Sequence, residues 1–420
     1  MAILRNWAGN YTFGASEYMY PENKEEVQEI VARSHKLRVF GTRHSFNGIA
    51  DSNETMLSLQ NMNRVLELDR DNKRVKVEGG IRYGELGEYL HREGYALHNL
   101  ASLPHITIAG AIATATHGSG DRNGNLATAV YAIEIVKADG SIAEFTRENG
   151  SLNGAVVGLG GLGVVTAITL DILPLFEISQ YIYENLPLSQ LEHHFDAIFS
   201  SAYSVSLFTD WKDSSFNQIW QKRLSEPGKS EVAGNELFGA RLAEAKRHPV
   251  PEQTAENCSE QLGIPGPWHE RLPHFRMDFT PSAGEELQSE YFVAREDAYA
   301  ALCAINELSE QIAPLLFVSE VRTIAADELW LSPNYKQHSV GVHFTWKPDW
   351  EGVKQVLPLI EEKLERFHAR PHWAKVHTMP QERVQSLYEK LPEFRQLLLE
   401  QDPDGKFRNA YVDTYIMGEQ

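Results

Sequence analysis

The feature of the sequence that most constrains the fold is the glycine cluster at residues 158–163, which reads GLGGLG. Its spacing matches the G-x-G-x-x-G pattern of Rossmann domains, in which a helix follows at once and binds a pyrophosphate at its N-terminus. Here residues 164–170 alternate in the way typical of a β-strand, so the helix that this binding mode requires is missing. We therefore predict a fold other than the Rossmann fold, whose glycines still admit an adenosine or a phosphate by close backbone approach.

A turn that contains His44 directly follows residues 37–40, a short and mostly apolar run typical of a buried strand. Gly41 lets the backbone come close to a ligand, and the exposed N–H groups of such a turn suit a phosphate. The alternative is a histidine with a structural role only, because histidines occur in many turns. Taken alone, the turn indicates a candidate site and leaves both interpretations open.

A second candidate site lies at residues 101–120, a stretch almost devoid of charge and rich in Gly, Ala, Ser and Thr. Small residues at this density allow a large group to lie against the backbone. Close helix packing is the alternative, since it also uses small residues. The irregular recurrence of glycines and hydroxyls favours a bulky ligand along this stretch, which we call the small-residue segment.

Three predicted strands carry polar side chains on one face, because residues two apart along a strand share a face. The pairs are Glu320 with Arg322, His343 with Thr345, and Trp373 with Lys375, on predicted strands 316–324, 339–347 and 370–377. This variety of chemical groups suits a polyhydroxylated ligand, and Arg322 and Lys375 can stabilise an alkoxide-like oxygen. The alternative is a solvated face, on which Glu320 and Arg322 form a surface ion pair of little energetic weight.

The composition argues against several classes of function. The chain has 39 basic and 58 acidic side chains, a net charge of −19, which disfavours a nucleic acid or an anionic membrane as partner. Cys258 and Cys303 form no metal-ligand spacing, so we expect no metal and no disulfide framework. The absence of G-x-S-x-G, H-E-x-x-H and Walker sequences disfavours hydrolase, zinc and nucleotidase chemistry.

The sequence also indicates where the protein works and how it is divided. Reduced thiols are typical of the cytosol, the N-terminal residues lack the apolar core of a signal peptide, and no apolar run has membrane-spanning length. We expect a cytoplasmic monomer without a membrane partner. The 420 residues suffice for two domains, with a boundary near Pro174. Residues 224–275 show weak periodicity and are predicted to form a surface excursion or lid.

Six stretches carry a family resemblance: GTRHSFN at 41–47, SLPHI at 102–106, THGSG at 116–120, EVR at 320–322, VHFTW at 342–346 and RPHWAK at 370–375. Over essentially its whole length the chain resembles the FAD-binding flavoproteins of the vanillyl-alcohol oxidase type, and within them the alditol (xylitol or sorbitol) oxidases. The stretches EVR and VHFT favour the alditol oxidases, whereas HWAK is shared with the sugar-lactone oxidases.

The resemblance implies an α+β, two-domain flavoprotein. One domain is a vanillyl-alcohol-oxidase (PCMH)-type FAD-binding domain, and the other is a substrate (cap) domain built on an antiparallel sheet flanked by helices. On this basis residues 1–174 are expected to form the FAD-binding domain and residues 175–372 the cap domain. Residues 373–420 are expected to return to the FAD-binding domain as a C-terminal segment.

The implied cofactor is FAD, joined covalently through the His44 imidazole to the flavin 8α-methyl group. The backbone of the His44 turn would hold the pyrophosphate, the small-residue segment would line the isoalloxazine and ribityl chain, and the main chain at Val164 would contact the adenosine half. The implied cofactor-binding residues are His44 (covalent), Phe40, Gly41, Thr42, Arg43, Ser45, Ser102, Thr107, Gly110, Thr114, Ala115, Thr116, His117 and Val164.

The implied reaction is oxidation of the terminal primary hydroxyl of an alditol to the aldose, with hydride transfer to flavin N5 and reduction of O2 to H2O2. The implied substrate-binding residues are Ser102, Glu320, Arg322, Thr345 and Lys375, and the implied catalytic residues are Arg322, Lys375 and His343. Whether Lys375 or His343 takes the hydroxyl proton stays open. The alternatives are a sugar-1,4-lactone oxidase, a flavin dehydrogenase of the same superfamily, or a non-catalytic flavin- or polyol-binding protein.

Overall fold

Two antiparallel sheets organise the chain in the computed structural model, which describes residues 4–225, 234–279 and 285–418. The first is a five-stranded sheet formed before residue 172, and the second, the cap sheet, has ten strands in the described part of the chain. Within the same described ranges, no helix combines the length and the apolar character needed to cross a bilayer. The domain boundaries at residues 174 and 372 stay predictions.

The five-stranded sheet forms the centre of the first half of the chain. Its strands lie in the order Val65–Asp69, Arg74–Glu78, Val164–Asp171, Val130–Val136 and Ile142–Thr146. The alternating apolar residues of these strands point to one side, where Val77 and Ile168 pack in one core with Leu86 and Leu90 of the helix Tyr83–Arg92. This core fixes the sheet beneath the small-residue segment.

The strand that follows the glycine cluster is confirmed, and it lies in the middle of this sheet. Val164–Asp171 pairs antiparallel with Arg74–Glu78 on one side and with Val130–Val136 on the other. Gly163 has φ +142°, and a Cβ there would lie 2.5 Å from the carbonyl oxygen of Val136, so only glycine fits. The glycine cluster therefore allows the strand Val164–Asp171 to begin in close contact with the backbone of the neighbouring strand Val130–Val136.

A smaller parallel sheet holds the strand that leads into the His44 turn. Its strands are ordered Glu17–Met19, Thr55–Leu57 and Leu37–Val39. The helix Lys24–Arg33 packs against it through its buried stripe of Val27, Ile30 and Val31. Arg38 is buried in the last strand and donates hydrogen bonds to the carbonyl oxygens of Gly160 and Phe407, at 3.0 and 2.6 Å. This side chain thereby joins the sheet to the glycine cluster and to the C-terminal residues.

The cap sheet is antiparallel throughout and has one polar and one apolar face. Its strands follow the order Glu236–Leu237, Ala240–Leu242, Glu177–Pro187, Ser215–Ser225, Ser204–Thr209, Leu316–Ile324, Ser339–Trp346, Leu287–Ala294 and Arg370–Pro371, with Gly266–Pro267 also paired to Glu177–Pro187. Helices Leu191–Phe199, Ala298–Asn306 and Trp350–Glu365 share a core with the apolar face, through residues such as Leu302 and Leu357. The polar face is left to line the interior between the two halves.

Shorter elements complete the described chain. They are the strand pair Tyr95–Ala96 and Leu173–Pro174 and the helices Ile108–Ala113, Leu152–Ala155, Trp268–Arg271, Ser309–Ile312, Gln381–Ser386, Leu391–Gln401 and Ala410–Val412, the last continued by a π-turn Asp413–Met417. The C-terminal residues return to the first half, where Asn409 Nδ2 donates to the carbonyl oxygens of Gly48 and Asp51 at 3.0 and 2.8 Å.

One expectation from the sequence is wrong, and a second is only partly met. The predicted strand 370–377 ends at Pro371, because the chain then turns, with Lys375 N bonded to the His372 carbonyl oxygen at 3.1 Å. Trp373 therefore shares no strand face with Lys375. Its ring is fully buried, and its Nε1 donates to the Leu331 carbonyl oxygen at 2.7 Å.

The predicted surface excursion or lid at 224–275 is the expectation that is partly met. Residues 226–233 lie outside the described residues, but the rest of this stretch packs against the cap sheet through short strands and the helix Trp268–Arg271. Trp268 and Gln261 are fully buried, and His274 is 5% exposed. Other parts of the stretch, including residues 251–254 and Leu262, are exposed, so it combines surface segments with very short elements that are packed against the sheet.

Candidate active site

A single cavity of about 1010 Å³ runs between the His44 turn, the small-residue segment and the polar face of the cap sheet. Most of the side chains expected at a site line it: Phe40, Gly41, Thr42, Arg43, His44, Ser45, Ser102, Thr107, Gly110, Thr114, Thr116, His117, Glu320, Arg322, His343, Thr345 and Lys375. Ala115 and Val164 instead have fully buried side chains in the core. Gly163 and Val165, which flank Val164, do line the cavity.

The His44 turn presents an unsatisfied imidazole to the cavity. Arg43 adopts φ +64°, a left-handed conformation that turns the chain sharply at this point. His44 Nδ1 lies 2.9 Å from Thr42 Oγ1, and the ring stacks on Trp7 at 4.9 Å between centroids. Its Nε2 is buried and has no hydrogen-bond partner in the described ranges. Burial, followed by the charges of His105 and Arg43, lowers the pKa of His44 to about 4, so the ring is neutral at neutral pH.

The small-residue segment packs tightly against this turn. A Cβ on Gly41 would lie 2.2 Å from Thr107 Oγ1, so the absence of a side chain is what allows the contact. The helix Ile108–Ala113 buries Ile108 and Ile112 in the core and leaves Gly110 on the cavity. The small-residue segment therefore packs closely against the core on one face and borders the cavity on the other, in keeping with both interpretations, helix packing and a bulky ligand. An orphaned imidazole beside a backbone-lined wall fits a large organic group held between the two segments.

Strand register brings the polar residues of the cap sheet into one row. Glu290 pairs with His343, and His343 pairs with Glu320, so the three side chains lie side by side on the same face. Arg322 shares this face, one pleat further along its strand. All four side chains are at least nine-tenths buried. The alternative of a solvated face is therefore wrong, and we call these four residues the polar row.

Glu290 is the centre of the row, and it was not among the site residues expected from the sequence. Its Oε2 accepts a hydrogen bond from Lys375 Nζ at 2.6 Å, and its Oε1 accepts one from Arg322 Nη2 at 2.9 Å. His117 Nε2 lies 3.1 Å from Oε1. Burial alone would raise the pKa of Glu290, but Lys375, His117 and Arg322 outweigh it and hold the pKa well below its usual range. A lone charged residue in the strand sequence LQSEYFVA was the available signal.

Lys375 is held between two partners at the edge of the row. Besides Glu290, its Nζ contacts His343 Nδ1 at 2.7 Å, and His343 Nε2 lies 3.0 Å from Thr345 Oγ1. Burial lowers the pKa of Lys375, and burial together with Lys375 lowers the pKa of His343 to about 4. At neutral pH His343 is therefore a neutral acceptor for Lys375, and the ammonium keeps a third N–H for the cavity.

Arg322 and Glu320 form the other end of the row. Arg322 Nη1 donates to Ser102 Oγ at 3.4 Å, and Arg322 Nε lies 3.6 Å from Glu320 Oε1. The same carboxylate oxygen lies 2.7 Å from His274 Nε2. Burial by itself would raise the pKa of Glu320, but Arg322 and His274 lower it, and the net shift is downward. Glu320 is thus an ionised acceptor at neutral pH. His274 was missed because its stretch showed no strand pattern.

Two sets of hydrogen bonds tie the halves of the site together. Asn47 Nδ2, just after the His44 turn, donates to the carbonyl oxygens of Trp373 and Lys375, both at 2.9 Å. On the other side of the cavity, the backbone N–H groups of His274 and Phe275 donate to the Ser102 carbonyl oxygen at 3.0 and 3.2 Å. No sequence pattern predicts either set of hydrogen bonds, because each joins residues more than 150 positions apart.

Two family profiles match the halves of the chain. The profile for an FAD binding domain matches residues 15–146, and the profile for D-arabinono-1,4-lactone oxidase matches residues 283–415. The first range contains the His44 turn and the small-residue segment, and the second contains the polar row and Lys375. The fold, the cavity and these matches define the class of protein, a two-domain flavoprotein of the vanillyl-alcohol oxidase type whose cofactor is FAD.

Individual relatives narrow this class. Alditol oxidase from Streptomyces sp. is 45% identical over 418 residues, which cover 99% of each chain. L-gulonolactone oxidase from Mus musculus is 27% identical over 436 residues, covering 98% of this chain and 97% of that protein. Glucooligosaccharide oxidase from Acremonium strictum, with its 6-S-cysteinyl, 8α-N1-histidyl FAD, shares the fold at a TM-score of 0.72 and 14% identity, covering 97% of this chain and 93% of its own.

The chain therefore belongs to the alditol oxidase family. The family resemblance and the α+β fold class expected from the sequence are confirmed, and so is FAD as the cofactor. The lactone oxidases are more distant relatives.

Proposed function

We propose that this chain oxidises the terminal primary hydroxyl of an alditol such as xylitol or sorbitol to the aldose, while O2 is reduced to H2O2. The observation that carries the proposal is the place of Lys375 Nζ, held between Glu290 and His343 on the wall of the same cavity that exposes the His44 imidazole. The alditol oxidase that is 45% identical to the chain supports the same substrate class.

FAD would lie along the His44 turn and the small-residue segment, joined covalently to the protein through His44. When bound, it supplies the acceptor for a hydride from the carbinol carbon and passes the electrons to O2. The neutral, unpartnered ring nitrogen of His44 supports the covalent link, as does the histidyl FAD of glucooligosaccharide oxidase. The remaining contacts would come from Phe40, Gly41, Thr42, Arg43, Ser45, Ser102, Thr107, Gly110, Thr114, Ala115, Thr116, His117 and Val164.

The hydroxyl groups of the substrate would be held by the polar row and its neighbours. Glu320 is an ionised acceptor, while Ser102 and Thr345 offer hydroxyls that both donate and accept. Arg322 and Lys375 provide positive charge for the oxygen that gains alkoxide character as the hydride leaves. A site that reads several hydroxyls in this way strongly rejects analogues that lack them, because its own polar groups are then left unpaired.

Lys375 would take the hydroxyl proton. Both ring nitrogens of His343 are already occupied, one by Lys375 and the other by Thr345, so the imidazole has no free position for the substrate. Burial lowers the pKa of Lys375, which makes the neutral amine accessible nearer to physiological pH. In this mechanism His343 and Glu290 orient the amine, and its third position contacts the substrate hydroxyl.

The substrate and the electron acceptor can be tested together. Under anaerobic conditions xylitol should bleach the flavin absorbance, and on admission of air the enzyme should produce H2O2. A lactone oxidase would instead be reduced by galactonolactone and not by xylitol, and a dehydrogenase would be reduced by xylitol but reoxidise slowly in air. No bleaching by any alditol would refute the proposal.

The covalent link has its own test. After denaturation and acid precipitation the yellow colour should stay with the protein, and in His44→Ala it should appear in the supernatant. Flavin released from the wild-type protein would rule out the link.

A cytoplasmic monomer completes the proposal. The cytoplasmic location is supported by Cys258 and Cys303, both of which are free thiols. Size-exclusion chromatography with light scattering tests the oligomeric state, and a dimer mass would contradict it.

A further inference from the structure

A buried lysine outside the polar row contacts it through a histidine. Lys222 lies on the strand Ser215–Ser225 and is 1% exposed. Its Nζ donates to the carbonyl oxygens of Leu272 and Pro273 at 2.5 and 3.0 Å and lies 3.3 Å from His274 Nδ1. The other ring nitrogen of His274 lies 2.7 Å from Glu320 Oε1. Lys222, His274 and Glu320 thus form a continuous chain of polar contacts that ends at the substrate cavity.

Because an ammonium group can only donate, all hydrogen bonds in this series of contacts are donated in the direction from Lys222 to Glu320. A protonated lysine has three N–H donors and no lone pair, so the third donor of Lys222 points at His274 Nδ1 and makes that atom an acceptor. The single proton of the neutral imidazole then sits on Nε2, from which it is donated to Glu320. Lys222 and the carboxylate of Glu320, which can only accept, therefore favour the same tautomer of His274, and Lys222 does so from three contacts away from the substrate.

We propose that Lys222 and His274 are positioning residues that hold Glu320 as a substrate acceptor, Lys222 by fixing the His274 tautomer and His274 by donating to the carboxylate. This inference rests on the proposed function, since it assumes that Glu320 binds a substrate hydroxyl. With one oxygen of Glu320 held by His274, the carboxylate is fixed in rotation and its other oxygen is free to accept from the alditol.

The surroundings of Lys222 make the arrangement sensitive to pH. Burial lowers the pKa of Lys222 to about 7, against a smaller opposing effect of Glu320 and Cys258 and with a further lowering by Arg271. Burial also lowers the pKa of His274 to about 4, so this ring stays neutral while Lys222 titrates. The ring itself is packed edge-on against Phe208 and Trp220, at 5.5 and 5.1 Å between centroids, and these contacts restrict its rotation.

Loss of the Lys222 proton would disrupt the series of hydrogen bonds from Lys222 through His274 to Glu320. The two N–H groups that remain on the neutral amine bond to the two carbonyl oxygens, and its lone pair then faces His274 Nδ1. Nδ1 of His274 also carries a lone pair, and the two lone pairs repel each other at 3.3 Å. This contact is lost unless the ring proton moves to Nδ1, which would leave a bare Nε2 2.7 Å from the carboxylate of Glu320. Either outcome loosens the ring that holds Glu320, and the alditol binds less tightly above the pKa of Lys222.

The test uses the FAD-loaded enzyme mixed anaerobically with xylitol, which separates the dissociation constant from the limiting rate of flavin reduction. In the wild type the dissociation constant should rise about tenfold between pH 6 and pH 9, the loss expected for one hydrogen bond to a charged group. In Lys222→Met it should be raised at every pH by a similar factor and lose this pH dependence, while the limiting rate changes less than about threefold.

A matched control separates this effect from simple loosening of the loop. Ser259 Oγ donates to the same Pro273 carbonyl oxygen at 2.8 Å but does not touch the imidazole ring. Ser259→Ala should therefore keep the pH dependence of xylitol binding. If Ser259→Ala reproduced the behaviour of Lys222→Met, loop packing and not the tautomer would be responsible, and the proposal would be overturned.

His274 offers a second pair of variants. Glutamine places an amide oxygen toward Lys222 and an amide N–H toward Glu320, so His274→Gln should bind xylitol within about threefold of the wild type, whereas His274→Leu should lose tenfold or more. Equal binding by both variants overturns the proposal. If Lys222→Met does not fold, the wild type decides, because a dissociation constant that stays constant from pH 6 to pH 9 also overturns it. Failure of the proposed function would look different, with no flavin reduction by any alditol in the wild type.

Discussion

The two walls of the cavity differ in the groups that they offer to a ligand. On the cofactor side, the His44 turn and the small-residue segment offer backbone, glycine and small hydroxyls, and their fit depends on the absence of bulk, as at Gly41 against Thr107. On the cap side, the polar row offers charged side chains that are paired with each other, as Lys375 is with Glu290. We therefore expect added atoms to disturb the first wall and removed charges to disturb the second.

The largest effect is expected where the cap side supplies the proton acceptor. Lys375→Met keeps the length of the side chain but removes the amine, and kcat for xylitol should fall on the order of a thousandfold, as for loss of a general base. The flavin spectrum should not change, because FAD would bind to the other wall. Stopped-flow flavin reduction measures the loss. Lys347→Met, which alters another lysine on the same cavity, is the control and should stay close to the wild type.

Glu290→Gln tests the charge at the centre of the polar row. It weakens the hydrogen bonds to Lys375 and Arg322, and kcat/KM should fall about a hundredfold. Because Glu290 raises the pKa of Lys375 against the larger effect of burial, its neutralisation lowers that pKa further. If neutral Lys375 is the base, the rising limb of the pH profile then shifts to lower pH. A shift to higher pH would contradict this role, and Glu285→Gln, at an exposed residue on the same cavity, is the matched control.

On the cofactor side, Gly41→Ala adds one carbon where there is no room for it. The new Cβ would lie 2.2 Å from Thr107 Oγ1, an overpacking that typically costs about 1–3 kcal/mol. FAD content, measured as the ratio of flavin to protein absorbance, should fall, while turnover per bound flavin stays within about twofold. In Gly14→Ala the Cβ has ordinary contacts, the nearest at 3.5 Å, and FAD content should be unchanged. Equal FAD content in both variants would show that the wall tolerates bulk.

The smallest effect is expected at the junction of the two walls. Asn47→Ala removes both hydrogen bonds to the loop that carries Lys375, and kcat should fall by about five- to tenfold with FAD content unchanged. Asn10 Nδ2 donates to the Phe46 carbonyl oxygen at 2.9 Å in the same turn but does not reach that loop. Asn10→Ala should therefore leave kcat near the wild-type value. A larger loss in Asn10→Ala than in Asn47→Ala would show that turn stability, and not the junction, controls the rate.

The sequence predicted most of what depends on local patterns. Period-two alternation placed Glu320 with Arg322 and His343 with Thr345, and the residues after the glycine cluster were correctly expected to form a strand. The family resemblance supplied the cofactor, which no local pattern determines.

What the sequence did not predict depends on long-range pairing. Glu290 enters the site only because its strand lies beside that of His343, and no local pattern encodes which strands are neighbours. His274 was missed because the loop around it has almost no regular structure, and its place is set by the side chains of Lys222 and Ser259. Strand 370–377 was overpredicted because alternation persists there although the chain turns after Pro371.

The hydrogen bonds from Asn47 and to Ser102 limit how far the two halves can be exchanged between relatives. A chimera that joins this cofactor half to the cap of a lactone oxidase would keep Asn47 and the shared HWAK loop that it binds, but it would lose the backbone N–H groups of His274 and Phe275 that donate to Ser102. Such a hybrid can fold as two intact halves and still leave Ser102 without the hydrogen bonds that hold it at the cavity. Redesign of substrate choice in this family is therefore better begun within the polar row than at the domain boundary.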